Sequence, residues 1–322
     1  MNKYHEIKSF IPNHIYPIIP AKKNKYYRNS ITVTLGKVLT EELISEKVEE
    51  IYRQINDWIK FNSKLPLSIW HNLKIRQNDK DQLLLNFEFI NLNSLDKTDL
   101  LSFLTASFPQ IHSIYFTSNN KCEHVYGDDY LKLEIDHITV SIYPTNFCQI
   151  NTSMISTIYQ TIVSFCLNYP GKNIISLGDD SGNLCCYLAS HFRSSSILGV
   201  LHTFASYQAA LTNLSLNSLP PNLSFILNPF LWSSITDHDD TILIINPGRK
   251  GLRTAGLLAI NSLSHISHII YMSCKISTLK SDLGRLTNFQ PIITQPIDNF
   301  PLIPDYCENV VLFCRDSVPC HP

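Results

Sequence analysis

The sequence predicts an α/β protein of two domains, in which a small α+β domain precedes a doubly wound sheet. The chain has 322 residues, and a domain typically has about 150, so two domains are expected. In the first half, several short runs alternate apolar and polar residues, whereas uninterrupted apolar runs alternate with helical patterns in the second half. Alternation suits a sheet that is covered on one face, and continuous apolar runs suit strands buried on both faces.

The elements of the first half follow from these patterns. In residues 41–61, apolar side chains recur near every 3.6 positions, which predicts an amphipathic helix. A second helix is predicted over 99–108. The predicted strands of this half are 31–36, 73–76, 83–89, 113–116 and 138–143.

The second half alternates strands with helices, as a doubly wound sheet requires. Helices are predicted over 152–169, 183–192, a segment ending near 217, and 253–263. The predicted strands are 174–177, 197–200, 241–245, 269–272 and 309–314.

Ligands of such a sheet bind beyond the carboxyl ends of its strands. The residues expected there are 178–183, Leu201, 246–249 and Cys274. A cysteine in that place is a candidate nucleophile, although a cysteine in a protein of this kind is more often a small buried hydrophobe.

Cysteine usage and hydropathy limit the classes of function. The nine cysteines form no CxxC pair and no cluster with histidine at metal-ligand spacing, so neither a metal nor an iron–sulfur cluster is expected. Scattered thiols indicate a reducing, intracellular environment. No apolar run reaches about 18 residues, so no membrane association is expected. The cytoplasm is favoured over an organelle, and a monomer is expected.

The charge distribution is uneven although the net charge is only −1. Against one acidic residue, Glu6, the first 28 residues contain six basic ones: Lys3, Lys8, Lys22, Lys23, Lys25 and Arg28. A basic tail over 1–25 is therefore predicted. Such a tail is compatible with contacts to RNA phosphates, but equally with a solvated or targeting extension.

Four segments in order resemble motifs of the RNA (uracil-5-)-methyltransferases. Residues 142–151, IYPTNFCQIN, are similar to that family's S-P-x-x-F-F-Q-V-N, and residues 244–252, IINPGRKGL, to its D-P-P-R-x-G-L. Residues 271–275, YMSCK, resemble V-S-C-N, and residues 300–313 resemble its closing F-P-x-T-x-H-x-E-x-V-x-L-L. Tyr27-Arg28-Asn29 is similar to the Y-R-N/K segment before the central domain of the family. Together the similar segments extend over residues 26–315.

The resemblance implies a fold and an activity. It implies a class I (Rossmann-like) methyltransferase domain over 144–316, preceded by an α+β, RNA-contacting domain over 26–143. S-adenosylmethionine would be the methyl donor, and uridine in RNA, with tRNA as the expected class, would be methylated at C5. In this chemistry a cysteine thiolate adds to C6 of the base and activates C5.

The resemblance also assigns site residues. Cys274 would be the nucleophile and Glu308 the base that removes the C5 proton, and Arg249 would help to position RNA. By position alone, an ordinary carboxylate of a strand edge is the favoured interpretation of Glu308, and a surface salt bridge is the alternative for Arg249. The cofactor residues implied are Gln149, Gly178, Asn183, Leu201 and Asn246.

The cofactor motif departs from the family at four positions. Gly178 replaces an aromatic residue, Asp180 a glycine, and Asn246 an aspartate. Leu201 stands where an acid would bind the ribose hydroxyls, and losing such an acceptor costs about 1.5–3 kcal/mol. Two hypotheses follow: an active enzyme with a divergent cofactor site, or a non-catalytic relative that retains RNA binding. A methyltransferase acting on another substrate is a third hypothesis.

Overall fold

The structure is a computed structural model that divides the chain into two compact units. The central unit is Lys25–Thr152, and the carboxyl-terminal unit combines Met1–Asn24 with Ser153–Pro322. The residues described are 3–11, 15–37, 42–61, 67–90, 97–168, 173–178, 181–228, 231–235, 241–264 and 266–316. No helix in these ranges is both long and apolar enough to cross a membrane.

The central unit is an α+β structure. Its helices α2 (Glu46–Phe61) and α3 (Thr98–Ser107) share one apolar core with its main sheet. The strands of that sheet are β1 (Ser30–Thr34), β2 (Trp70–Gln77), β3 (Leu83–Phe89), β4 (Ile111–Ser118) and β5 (Lys121–Gly127), in that order. A separate antiparallel hairpin consists of β6 (Leu131–Ile135) and β7 (Ile138–Ile142).

The carboxyl-terminal unit alternates helices with strands. Its helices are α1 (Lys3–Lys8), α4 (Thr152–Asn168), α5 (Asn183–His191), α6 (Phe204–Leu216), α7 (Arg253–Asn261) and α8 (Ile276–Leu283). Its strands are β8 (Asn173–Gly178), β9 (Ser196–Leu201), β10 (Leu223–Leu227), β11 (Thr241–Asn246), β12 (His268–Lys275), β13 (Phe289–Ile297) and β14 (Tyr306–Arg315).

The described strands of this unit form one mixed sheet in the order β10-β9-β8-β11-β12-β14-β13. From β10 to β12 neighbouring strands are parallel, so their carboxyl ends lie at one edge of the sheet. β14 lies between β12 and β13 and is antiparallel to both. This insertion brings the amino-terminal end of β14 beside the carboxyl-terminal end of β12.

The predicted basic tail over 1–25 has to be corrected for the residues that the structure describes. Ile7 and Ile11 are buried in the core of the carboxyl-terminal unit. Farther along, Ile15 and Ile19 form β-bridges with β13, the strand at the edge of the sheet. An exposed strand edge has unpaired backbone groups, and these bridges provide hydrogen-bond partners for some of them. Lys3 is also paired, because its Nζ lies 2.6 Å from Asp298.

Most predicted elements are present with small shifts at their ends, and β3 starts and ends where the pattern placed it. The predicted helix over 41–61 begins at Glu46 among the described residues. Six elements were not predicted: α1, α8, β5, β6, β10 and β13. The central unit also extends to Thr152 rather than to residue 143.

Candidate active site

A β-bulge at the end of β12 determines where Cys274 lies. Ser273 is opposite Asn309 on β14, and Lys275 is opposite Tyr306, so the register shifts between these pairs. One residue of β12, Cys274, therefore faces two residues of β14, Cys307 and Glu308. Bulges of this kind redirect side chains and occur frequently beside active sites.

The alternation of side chains puts Cys274 and Glu308 on the same face of the sheet. Tyr271 and Cys307 are members of the core cluster that covers the opposite face. Because successive side chains of a strand point to opposite faces, Cys274, three residues after Tyr271, lies on the other face. Glu308, directly after Cys307, lies there as well. The 34 positions that separate the two residues are thus bridged by adjacent strands.

Burial raises the pKa values of both the thiol and the carboxyl. Burial, and after it the charge of Glu308, raise the pKa of Cys274 to about 12, although Arg249 and Lys275 act in the opposite direction. Burial also raises the pKa of Glu308 to about 8. Removing a charged group from water disfavours its ionised form, so both groups are predominantly neutral at pH 7.

Arg249 lies beside this pair, in the turn Gly248–Lys250 that follows β11. Its guanidinium carbon is 5.5 Å from the centroid of the Tyr306 ring, a distance typical of a cation–π contact. The backbone carbonyl of Arg249 accepts a hydrogen bond of 3.0 Å from Thr278 on α8. The side chain is exposed, so this positive charge faces solvent close to the Cys274 thiol.

A buried carboxylate anchors the segment that follows the Arg249 turn. Asp282 on α8 accepts a 2.5 Å hydrogen bond from the Tyr271 hydroxyl and one of 3.0 Å from the Leu252 N–H. A Cβ atom added to Gly251 would lie 2.4 Å from Asp282 Oδ2, so a larger residue would push this loop away. Asp282 therefore ties β12, α8 and the turn with Arg249 together.

Asp305 fixes the segment after Cys274 in a similar way. Its carboxylate accepts hydrogen bonds from the backbone N–H (3.2 Å) and the hydroxyl (3.1 Å) of Ser277, in the first turn of α8. It also lies 3.5 Å from Lys275 Nζ. A carboxylate at the start of a helix stabilises the unpaired N–H groups there.

Two of the expected cofactor residues, Gly178 and Asn246, are neighbours at the carboxyl ends of β8 and β11. Gly178 has φ +150°, and a Cβ atom added to it would lie 2.9 Å from both Cβ and the carbonyl oxygen of Asn246. This close approach explains why the position has no aromatic side chain. Asp180 lies outside the described residues.

The other two expected residues of this unit, Asn183 and Leu201, are buried, each 1% exposed. Asn183 Oδ1 accepts a 2.8 Å hydrogen bond from Asn213, which also donates to the Ser181 carbonyl at 3.0 Å. The amide of Asn183 thus already serves to hold the loop before α5. The side chain of Leu201 is apolar and enclosed, so it offers no acceptor to a ribose hydroxyl.

Gln149 belongs to the central unit and is also buried. Its backbone carbonyl accepts a 3.0 Å hydrogen bond from Asn29, and the backbone N–H of Asn29 donates to Ile150 at 2.8 Å. Arg28 forms a β-bridge with Asn151. Two segments that resemble family motifs, 27–29 and 149–151, are therefore bonded to each other within this unit.

The structure brings Cys274, Glu308 and Arg249 together, and separately Gly178 and Asn246. Three polar residues of this region had no predicted role: Asp282, Asp305 and Asn309. One signal was available for Asn309, which is an amide at the start of a long apolar run. A polar side chain inside a buried strand has to be hydrogen-bonded, so it indicates a specific partner. Among the described residues, no cluster of three His, Cys, Asp or Glu side chains is suited to a metal ion.

Comparison with known proteins gives relatives that cover most of the chain, although no model of a protein family matches it. The chain is 24% identical over 330 residues to an uncharacterized RNA methyltransferase of Nanoarchaeum equitans, covering 92% of this chain and 71% of that protein. It is 23% identical over 369 residues to the tRNA (uracil-5-)-methyltransferase homolog B of Danio rerio, covering 94% and 76%. The mouse tRNA (uracil-5-)-methyltransferase homolog A is 22% identical, with 84% and 50% covered.

A solved structure agrees with these relatives. The tRNA (uracil-54, C5)-methyltransferase of Pyrococcus abyssi, in complex with S-adenosyl-L-homocysteine, superimposes with a TM-score of 0.76. The sequence identity is 17%, and 97% of this chain and 81% of that chain are covered. The fold is therefore the Rossmann-like methyltransferase fold, as predicted. The predicted resemblance to RNA (uracil-5-)-methyltransferases is confirmed as well.

Burial of Glu308 predicts how stability depends on pH. Its pKa in the folded protein, about 8, lies above the ordinary value of 4.5, so folding favours the protonated form. That advantage is fully present below pH 4.5 and is lost as the pH rises through about 8. Glu308→Gln should therefore match wild type in its free energy of unfolding near pH 5. Above pH 8 the variant should be more stable, by up to about 5 kcal/mol at about 1.4 kcal/mol per pKa unit.

Denaturant titrations at pH 5, 7 and 9 measure this difference. The control is Glu49→Gln, which makes the same change at an exposed position of α2 and should show no comparable trend with pH. Equal stability of wild type and Glu308→Gln at all three pH values would show that the carboxyl is not buried as described.

Proposed function

We propose that this chain methylates C5 of a uridine in RNA, with tRNA as the expected substrate and S-adenosylmethionine as the methyl donor. The observation that carries the proposal is the pairing of Cys274 with Glu308 across the bulge between β12 and β14. A thiol and a carboxyl on one face, beside the exposed charge of Arg249, suit the addition and elimination chemistry of uracil. The named activities of the similar proteins agree with this assignment.

The reaction begins at the Cys274 thiol, which releases its proton to solvent and forms a bond from sulfur to C6 of uracil. The electron pair of the C5–C6 double bond moves toward C5, which becomes nucleophilic. When bound, S-adenosylmethionine supplies an electrophilic methyl group for C5. Glu308 then removes the C5 proton, the C5–C6 double bond forms again, and the Cys274 thiolate leaves. Cys274 is thereby regenerated, and the C5 proton has passed to the Glu308 carboxylate.

The charges around the pair match the needs of this sequence. A thiolate and a carboxylate side by side repel each other, so the two groups do not both ionise readily. Arg249 and Lys275 favour the thiolate because their charges lower the pKa of Cys274. Glu308 accepts a proton only as a carboxylate, and a pKa of about 8 leaves a minor fraction ionised at pH 7. A base in this pKa range is suited to taking up a proton near neutral pH.

The residues present fit the cofactor in part of its expected site. Gly178 and Asn246 lie side by side at the edge where ligands of such a sheet bind, and the glycine leaves the backbone free of a side chain there. With Asn183 of the same unit, they are the residues that would hold the donor. At Leu201 no carboxylate is available for the ribose, so binding should be weaker by about 1.5–3 kcal/mol than with an acid.

The direct test is a covalent complex with RNA that contains 5-fluorouridine. With S-adenosylmethionine present, methyl transfer leaves C5 carrying fluorine and no removable proton, so the adduct between Cys274 and C6 should persist through a denaturing gel. It should form with wild type and be absent in Cys274→Ser. The matched control is Cys307→Ser, because Cys307 is the adjacent thiol on the opposite, core-facing side of the sheet. An adduct of equal yield in Cys274→Ser would remove the nucleophile from the proposal.

A second candidate function is an RNA-binding protein that has lost the cofactor. The observation that favours it is the burial of Leu201, whose side chain is only 1% exposed at the strand end where a ribose-binding acid is expected. A site closed by apolar packing would leave RNA binding without methyl transfer.

Calorimetry with S-adenosylmethionine separates the two functions. For an enzyme with a weakened site, wild type binds the donor, and Leu201→Glu should bind it tighter by about 1–2 kcal/mol because an ionised acceptor is restored. For a degenerate RNA binder, neither protein binds, and Leu201→Glu melts at a lower temperature because a charge is buried without a partner. In Leu201→Gln the new side chain has nearly the same shape as glutamate but no charge, so this variant isolates the effect of the charge.

A further inference from the structure

A buried amide joins the two strands at the bulge. Asn309 is the second residue after Cys307 on β14, and it is fully buried. Its Nδ2 donates a hydrogen bond of 2.8 Å to the Cys307 carbonyl on its own strand. The same nitrogen lies 3.3 Å from the Ser273 carbonyl on β12, a second hydrogen bond.

These two carbonyls have a special place in the chain. Ser273 directly precedes Cys274, and Cys307 directly precedes Glu308. The amide thus contacts the residue before each of the two reactive side chains. From this geometry we propose that Asn309 is a positioning residue, whose amide fixes the bulge and so sets the separation of Cys274 and Glu308.

The chemistry of the contacts requires the nitrogen of this amide. Both partners are carbonyl oxygens, which only accept hydrogen bonds, so the NH₂ group of Asn309 must face them. The amide oxygen, Oδ1, is buried and has no hydrogen-bond partner among the described residues. An unpaired acceptor costs free energy, whereas the NH₂ group of the same amide bonds to the Ser273 and Cys307 carbonyls.

The consequence for the site follows from strand geometry. A slip of one residue in the register of β14 would move Glu308 to the core face and Cys307 to the face of Cys274. At the bulge the regular pairing of β12 with β14 is interrupted between Ser273 and Lys275, so the ladder alone holds the register less firmly there. A side chain that bonds to both strands at the bulge prevents such a slip.

The proposed role of Asn309 rests on the proposed function only where Cys274 and Glu308 are called reactive. Its test therefore uses neither RNA nor cofactor. The rate at which iodoacetamide alkylates Cys274 is followed against pH by peptide mass spectrometry, which separates Cys274 from the other thiols. The charged groups acting on this thiol are Glu308, Arg249 and Lys275. In the wild-type background, Glu308→Gln should lower the apparent pKa of Cys274 by on the order of one unit, since a nearby like charge is removed.

In an Asn309→Ala background, the same Glu308→Gln substitution should shift the pKa of Cys274 by less than half as much. Thr294→Val is the matched control: Thr294 is a fully buried polar residue on β13 that has no contact with Ser273 or Cys307 among those described, and its substitution should leave the full shift. A full shift in folded Asn309→Ala would overturn the proposal. So would the absence of any shift in the wild-type background.

Asn309→Ser covers the case in which the alanine variant does not fold, as judged by circular dichroism. A serine hydroxyl can donate to only one carbonyl, so the shift should be intermediate between wild type and none, and an undiminished shift would contradict the positioning role. If wild type forms no RNA adduct yet the shift depends on Asn309, the proposed function fails and the positioning role stands. If the adduct forms and the shift is independent of Asn309, the positioning role fails and the proposed function stands.

Discussion

The register between β12 and β14 is the constraint on which the candidate active site depends. β14 is antiparallel to its neighbours and enters the sheet between β12 and β13, so its first residues meet the last residues of β12. The Cys274 thiol and the Glu308 carboxyl, from two different strand ends, are thereby brought together without a loop. The continuous burial of Val310, Val311 and Leu312 holds the regular part of this pairing, and the bulge adjusts its end. Polar contacts from Asp282, Asp305 and Asn309 then fix the segments around it.

Burial holds the side chains of the site in a defined geometry, and it also limits the ionisation of its thiol and carboxyl. Groups on rigid, buried strands hold their geometry well, but the same low-dielectric surroundings keep a thiol and a carboxyl neutral. The positive charges of Arg249 and Lys275 offset this in part. Arg249 is exposed and Lys275 is half-buried beside Asp305, so the exposed positive charge here is that of Arg249, although the net charge of the chain is −1. A local positive charge is enough to attract an anionic substrate, because electrostatic attraction at short range depends on nearby charges.

The sequence predicted the doubly wound sheet well where strands are buried on both faces. β8, β11 and β12 have continuous apolar runs and were found with small shifts at their ends. The edge strands β10 and β13 were missed. β13 contains Pro291 and Pro296, and proline is tolerated in edge strands but argues against a strand in a pattern analysis. The basic residues of the amino-terminal segment indicated a tail, but its isoleucines pack into the core and onto β13.

The site was predictable only in outline. Cys274 at a strand end followed from the pattern, but its pairing with Glu308, 34 positions later, came from family resemblance and from no spacing rule. The bulge has no signature in composition, and the sequence marked Asn309 only as a polar residue at the start of an apolar run, without indicating its partners. Side-chain burial at Leu201 is likewise a tertiary property: the sequence indicated a missing acid, and only packing indicates that the position is enclosed.

Exchange of the C5 hydrogen tests the pairing of Cys274 and Glu308 most directly, and it needs no cofactor. RNA carrying uridine tritiated at C5 is incubated with the protein alone. Addition of Cys274 to C6 lets C5 take a proton from solvent, Glu308 removes the tritium, and elimination restores uridine with tritium released into water. We predict release by wild type and its loss in both Cys274→Ser and Glu308→Gln. Release that persists in either variant would contradict the claim that these two residues act as one site.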